Sequence, residues 1–397
     1  SGIVSKAALF LAEIPMNIKL IYNNEFNSYD LLVQEVQEVQ EVQELQEQRF
    51  PNVSGFQGKR LEDETYLLLS KYDGNEKRSV VELVDLRSFE VKKTWRPDIN
   101  QINDLVDTSQ SEFQYLERDH DVNRYLIKHP FLTIDGGLIF QHQSPLVKID
   151  RNSQLVWQNQ EDSFHHSIEQ DHEGNFWVPT YGYPYQVDNK YVGNYIDDTI
   201  SKVSADGKIL FHKSVSNILI ENNLGFILFP IAGFYTSDPI HLNDIQPVLT
   251  DGTYWKQGDV FLSLRNISMI ILYRPSSNKI IWKGVGYTVA QHDVDILDDH
   301  RISIFNNNVH LFGNEQVNGS NEVVIYDFKT DSYSKYFNES LKQNDVRTIS
   351  EGLHHILDSG DLFIEEQNYG RILYFNKDGS LQWQYVNRAE DENIYFV

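Results

Sequence analysis

Five histidines stand at the openings of strand-like stretches: His129, His166, His241, His292 and His355. Neutral imidazole near pH 7 is a competent nucleophile, a proton carrier and a metal ligand. Two neighbours narrow that choice. Asn243 follows His241 by two positions, and Arg265 lies between Ser263 and Ser268. A guanidinium offers a planar fork matched to an oxyanion, and protonated His241 or His166 would add to it. A covalent step on one imidazole, with such donors converging on the transferred group's oxygens, splits one difficult transfer into two easier ones. One histidine of the set then serves as acid or base. Read singly, each histidine is a strand cap and Arg265 a strand-edge ion pair. Asp293 either orients the His292 ring or points into the fold.

The elements that must bring these residues together are legible as a repeat. From about residue 52 onward, short β-rich runs are separated by Asp-Gly, Asn-Gly and Ser-Gly turns. "HPFLTIDGGLIFQHQSPLVKIDRNSQLVWQN" shows the unit: strand, tight turn, strand, hydrophobic strand, turn and a last strand carrying Trp. His129 precedes Gly137, and His166 precedes Gly174, by eight residues in each case. At the same offset from His292 the turn residue is His300. The repeat predicts an all-β, six-bladed β-propeller over 51–397, with first strands lining a central channel and their starts forming a ring of imidazoles. A β-sandwich does not explain the turn-and-Trp cadence. Residues 1–50 form a separate N-terminal segment. In "LLVQEVQEVQEVQELQEQ", residues 31–48, an apolar residue recurs every third position without Gly or Pro, which predicts a helix with a drifting stripe. That helix is expected to pack outside the propeller, to carry no site residue, and to offer a surface for homo-oligomerisation.

Composition removes several functions. The net charge of −24 opposes general affinity for nucleic acid or anionic membrane, so no nucleic-acid partner is expected. The absence of cysteine excludes thiol chemistry, disulfides and thiolate-bound metal. No phosphate-cradling Gly-x4-Gly-Lys loop is present, and His172-Glu173-Gly174 lacks the second helical histidine of a metalloprotease. Several channel histidines suit Zn²⁺, but Arg265 among them argues against a second cation, so neither metal nor other cofactor is expected. The opening "IVSKAALFLAEIPMNIKLIY" is too broken by Lys6, Glu13, Pro15 and Lys19 to span a membrane and is consistent with the stub of a removed signal or anchor.

The stretch from His241 to Asn308 resembles the bacterial arylsulfate sulfotransferases. The cues are His241-x-Asn243, Ser263-x-Arg265-x-x-Ser268, the Ile-Trp-Lys-Gly strand ending at Gly284, and Gln291-His292-Asp293. His165-His166-Ser-Ile resembles an earlier His-bearing blade entry, and the likeness extends over roughly 130–385. The resemblance implies transfer of a sulfuryl group from an aryl sulfate to a phenol through a sulfohistidine, without a nucleotide sulfate donor. It implies His292 as nucleophile, His241 and Arg265 as sulfate-binding and charge-stabilising residues, His166 as the remaining active-site histidine and Asn243 as a polar contact. His165 competes with His166, and with His355 is expected to line the substrate pocket. It also suggests an exported, periplasmic or membrane-anchored protein. The helical start and absent cysteine depart from the family pattern. A non-catalytic propeller that binds an anionic small molecule or glycan, or scaffolds proteins, is the alternative.

Overall fold

A computed structural model describes residues 50–182, 195–228, 238–311 and 315–397. The chain divides into two units, Ser1–Val53 and Ser54–Val397. The helix expected over 31–48 lies outside the described residues.

Ser54–Val397 is a propeller-like ring of antiparallel sheets with few helices. The strands Leu242–Pro247, Val260–Leu264, Met269–Arg274 and Lys279–Val285 form one sheet in chain order. Val294–Ile296, Arg301–Asn306, Glu322–Asp327 and Ser332–Tyr336 form the next. Leu353–Ile356, Leu362–Glu366, Arg371–Phe375 and Leu381–Val386 follow, and Gly55–Gly58 adds a fifth strand beside the last. Tyr66–Asp73, Arg78–Asp85 and Glu90–Trp95 make a three-stranded sheet. The largest sheet has eight strands and runs from Lys128–Leu132 to Ile209–Ser214.

The blade count departs from expectation. Among the described residues four sheets carry four or more strands, rather than six complete blades. The cause is the ten-residue strand Leu155–Phe164, whose Phe164 pairs with both Ser144 and Thr180. Two sequence units are thereby joined in one sheet. The earliest unit stops at three strands.

Within each sheet the middle strands are buried on both faces. All of Val260–Leu264 is buried, whereas Lys279–Val285 alternates towards solvent. The hydrophobic clusters lie where sheets face one another: Ile200, Leu262 and Ile271 at one junction, Phe261, Leu272 and Ile304 at the next, Phe305, Ile364 and Leu373 after that.

Side chain to backbone bonds tie successive inner strands. Ser70 Oγ donates to Ile127 O at 2.6 Å, and Ile245 N donates to Ser167 Oγ at 3.2 Å. Val294 N donates to Asp244 and His354 N to Asp293, each at 3.1 Å. Asn387 Nδ2 donates to Tyr72 O at 2.9 Å, which closes the ring. Among the described residues no helix is long and apolar enough to cross a membrane.

Candidate active site

The inner strands begin with a shared kink. His129, His166, His241, Ala290 and Glu351 have φ of 44°, 57°, 54°, 53° and 59°. Non-glycine residues avoid this left-handed region and remain there only where surrounding structure holds them. The residue three positions on from His241 and from Ala290, Asp244 and Asp293 respectively, accepts a backbone N–H from the next sheet; His354, three on from Glu351, gives one to Asp293. Ala290 is therefore equivalent to His241, and His129, His166 and Glu351 share the same left-handed backbone.

This equivalence corrects the register expected from the histidines. His292 is not the counterpart of His241; Ala290 is, and His292 matches Asn243. Glu351, not His355, opens the last inner strand. His354 and His355 are neighbours on one strand, so they point to opposite faces. His354 is buried and held by Asp293 and Ser303, at 2.7 and 2.8 Å. His355 is exposed, with Nδ1 3.2 Å from Asp295, and is not brought to the other histidines.

The remaining predicted residues converge. Asn243 Nδ2 lies 2.8 Å from His292 Nδ1 and donates to Gln291 O at 3.2 Å, while its Oδ1 has no partner. The His166 ring contacts both His241 and His292, at centroid separations of 5.2 and 5.4 Å. His165 stands behind His166: the two Nδ1 atoms are 2.6 Å apart, its ring stacks on Tyr181 at 4.1 Å, and its Nε2 is 3.4 Å from Asp198. His241 Nδ1 is paired with Asp238. Arg265 N donates to His241 O at 3.0 Å and its Nη1 to Asn266 Oδ1 at 3.0 Å, and its charge acts on His292. Asp293 serves His354 and does not orient His292.

Burial dominates the electrostatics. It pushes His292 down to about 4, with His129 and Arg265 adding to it against Glu351. Burial likewise pushes His165 and His142 down to about 3, and His166 well below the usual range. His142, His165, His166 and His292 are neutral imidazoles.

Two residues that sequence reasoning passed over complete the pocket. Burial opposes the charge of Glu351, yet Lys128, with His129 and His292 beside it, holds its carboxyl well below the usual carboxylate range. Lys128 Nζ reaches Glu351 Oε1 at 2.8 Å, and His292 Nε2 and His129 Nε2 lie 3.4 and 3.8 Å from Oε2. A small cavity here is lined by Lys128, Gln141, His142, Gln143, His165, His166 and Glu351. The available signal was Glu351-Gly352 at a strand entry, overlooked because only histidines were aligned.

The profile described as "Arylsulfotransferase (ASST)" matches residues 129–388, and so contains every residue of this cluster except Lys128. The chain belongs to the arylsulfotransferase family. No curated protein matches the sequence. Among solved structures, a protein of unknown function from Bacteroides caccae is similar at 12% identity and TM-score 0.49, over 81% of this chain and 94% of that one. A streptogramin B lyase is similar at 11% identity and TM-score 0.42, over 86% and 93%.

Proposed function

We propose that this arylsulfotransferase-family chain moves a sulfuryl group from an aryl sulfate to a phenol through a covalent adduct on His292. The observation that carries the reading is the His292 imidazole: buried, neutral, engaged at Nδ1 by Asn243, with Nε2 facing Glu351 at 3.4 Å. A half-turn of the Asn243 amide brings its partnerless Oδ1 onto Nδ1–H and leaves the Nε2 lone pair free to attack. The N–S bond then forms as the S–O bond to the aryl group breaks. Arg265, with His166 and His241, is the donor set for the sulfuryl oxygens. The His241–Asp238 pair carries the proton that the leaving phenolate takes up and the acceptor phenol later returns.

Mixing the protein with a chromogenic aryl sulfate and excess phenol tests the reading. Phenol release dependent on acceptor, and an acid-labile sulfuryl label on His292 with donor alone, are expected. No release from a panel of aryl sulfates, or a label elsewhere, overturns it.

A further inference from the structure

Glu351 has no part in that transfer, and while Lys128 holds its Oε1, two histidine nitrogens face its Oε2. We propose that His166, His292 and Glu351, with His129 beside the carboxylate, form a binding site for a divalent late first-row metal ion, Zn²⁺ by preference. The inference goes beyond the sulfuryl-transfer reading and does not depend on it.

Three buried atoms converge here, namely His129 Nε2, His292 Nε2 and Glu351 Oε2, and none has a hydrogen-bond partner. The two histidine side chains are only 7% and 3% exposed. Buried polar atoms left unpaired are costly, and a set of them aimed at one another calls for a shared partner. Their spacing fits an ion. Zinc bonds of about 2.0–2.1 Å in a tetrahedron place neighbouring donors about 3.4 Å apart. The separations from Glu351 Oε2 are 3.4 Å to His292 and 3.8 Å to His129. Donor atoms of His166, His292 and Glu351 all lie within 4.8 Å of one another. Imidazole with one carboxylate is a donor set for zinc and its neighbours in the series.

The supporting contacts also fit. Lys128 binds Oε1 of Glu351 and leaves Oε2 for the ion. His165 Nδ1 holds the His166 ring through its Nδ1, and Asn243 engages the far nitrogen of His292. Two other groupings lack these features. His354, beside Asp293 and Asp295, has both nitrogens bonded, and Asp298, Asp299 and His300 form a surface turn. The site has one functional corollary. An ion on His292 Nε2 blocks the atom that would attack sulfur, so metal occupancy and sulfuryl capture exclude each other.

Chelator-stripped protein titrated with Co²⁺ is expected to develop the visible bands of a four-coordinate ion at one equivalent, and Zn²⁺ to abolish them. Calorimetry with Zn²⁺ alone should give the same stoichiometry. Glu351→Gln should weaken Zn²⁺ binding at least about 10-fold, while His300→Asn leaves it unchanged; thermal unfolding confirms that both variants are folded. Absence of Co²⁺ bands and of Zn²⁺ heat in the unaltered protein overturns the proposal, and bridging water then accounts for the three atoms. Undiminished affinity in Glu351→Gln overturns it equally. The sulfuryl label, measured on stripped protein with and without Zn²⁺, separates the two readings: loss of label only with Zn²⁺ supports both. A protein that never labels but binds Zn²⁺ refutes transfer and leaves the metal site standing.

Discussion

At the scale of single residues, the pocket works by keeping buried imidazoles uncharged. His292→Asn retains a polar side chain of similar reach and removes the nucleophile. Transfer and covalent labelling should both disappear, with the thermal unfolding midpoint still measurable as one transition. Arg265→Lys keeps the charge but loses the fork, and should lower turnover about 10-fold or more while the label still forms. A titration away from the site tests the same burial physics. Asp162 is buried with His212 Nε2 3.3 Å away, and burial, with Glu161 and Glu112, pushes it up to about 7. Burial outweighs this neighbour, since His212 is itself pushed down by burial and stays neutral. The folded state therefore binds the Asp162 proton more tightly than the unfolded chain. Its cost is absent below about pH 4, grows as pH rises, and is complete above about pH 7. Asp162→Asn should raise the unfolding midpoint at pH 8 and leave it unchanged at pH 4.

At the scale of elements, the strand entries decide what the pocket contains. Ala290 sits at φ 53° with its N–H bonded to Ser268 Oγ, in the same kinked position as three histidines and Glu351. Glycine adopts that conformation without a Cβ penalty, so Ala290→Gly should gain up to about 1 kcal/mol, read by denaturant unfolding. The β-rich turn cadence was legible because Asp-Gly and similar pairs mark tight turns and Trp closes the outer strand. The count of blades was not, because nothing in "LVWQNQEDSF" signals that one long strand pairs on both sides. His292, Asn243, His241 and His166 were legible from their motifs. Glu351 was signalled only by the Glu351-Gly352 pair at a strand entry, and Lys128, one residue before His129, by nothing in the sequence. His355 was misplaced for a related reason: beside His354 on one strand, its side chain faces the other way.

At the scale of the whole molecule, the ring is closed by its earliest strand. Gly55–Gly58 pairs with Trp383–Val386, and Phe56 packs on Phe89 and Tyr385 at 4.7 Å from each. Phe56→Ala should cost about 3 kcal/mol by denaturant unfolding. Removing residues 1–48 should leave cooperative unfolding intact, whereas removal through Gly58 should lower the midpoint by several degrees. Since the pocket draws on four sheets, loosening the closure should also weaken transfer at temperatures well below global unfolding.

That closure has a bearing on how the protein is made. Gly55 and Val386, which pair directly, are separated by more than three hundred residues. During synthesis the first strand leaves the ribosome long before its partner exists, and must wait as an open edge. Contacts so distant along the chain are slow to form. The pocket also waits, because Glu351 and the strand that follows it are translated after its other residues. Nascent chains arrested between residues 292 and 351 therefore carry His292 with no finished pocket around it.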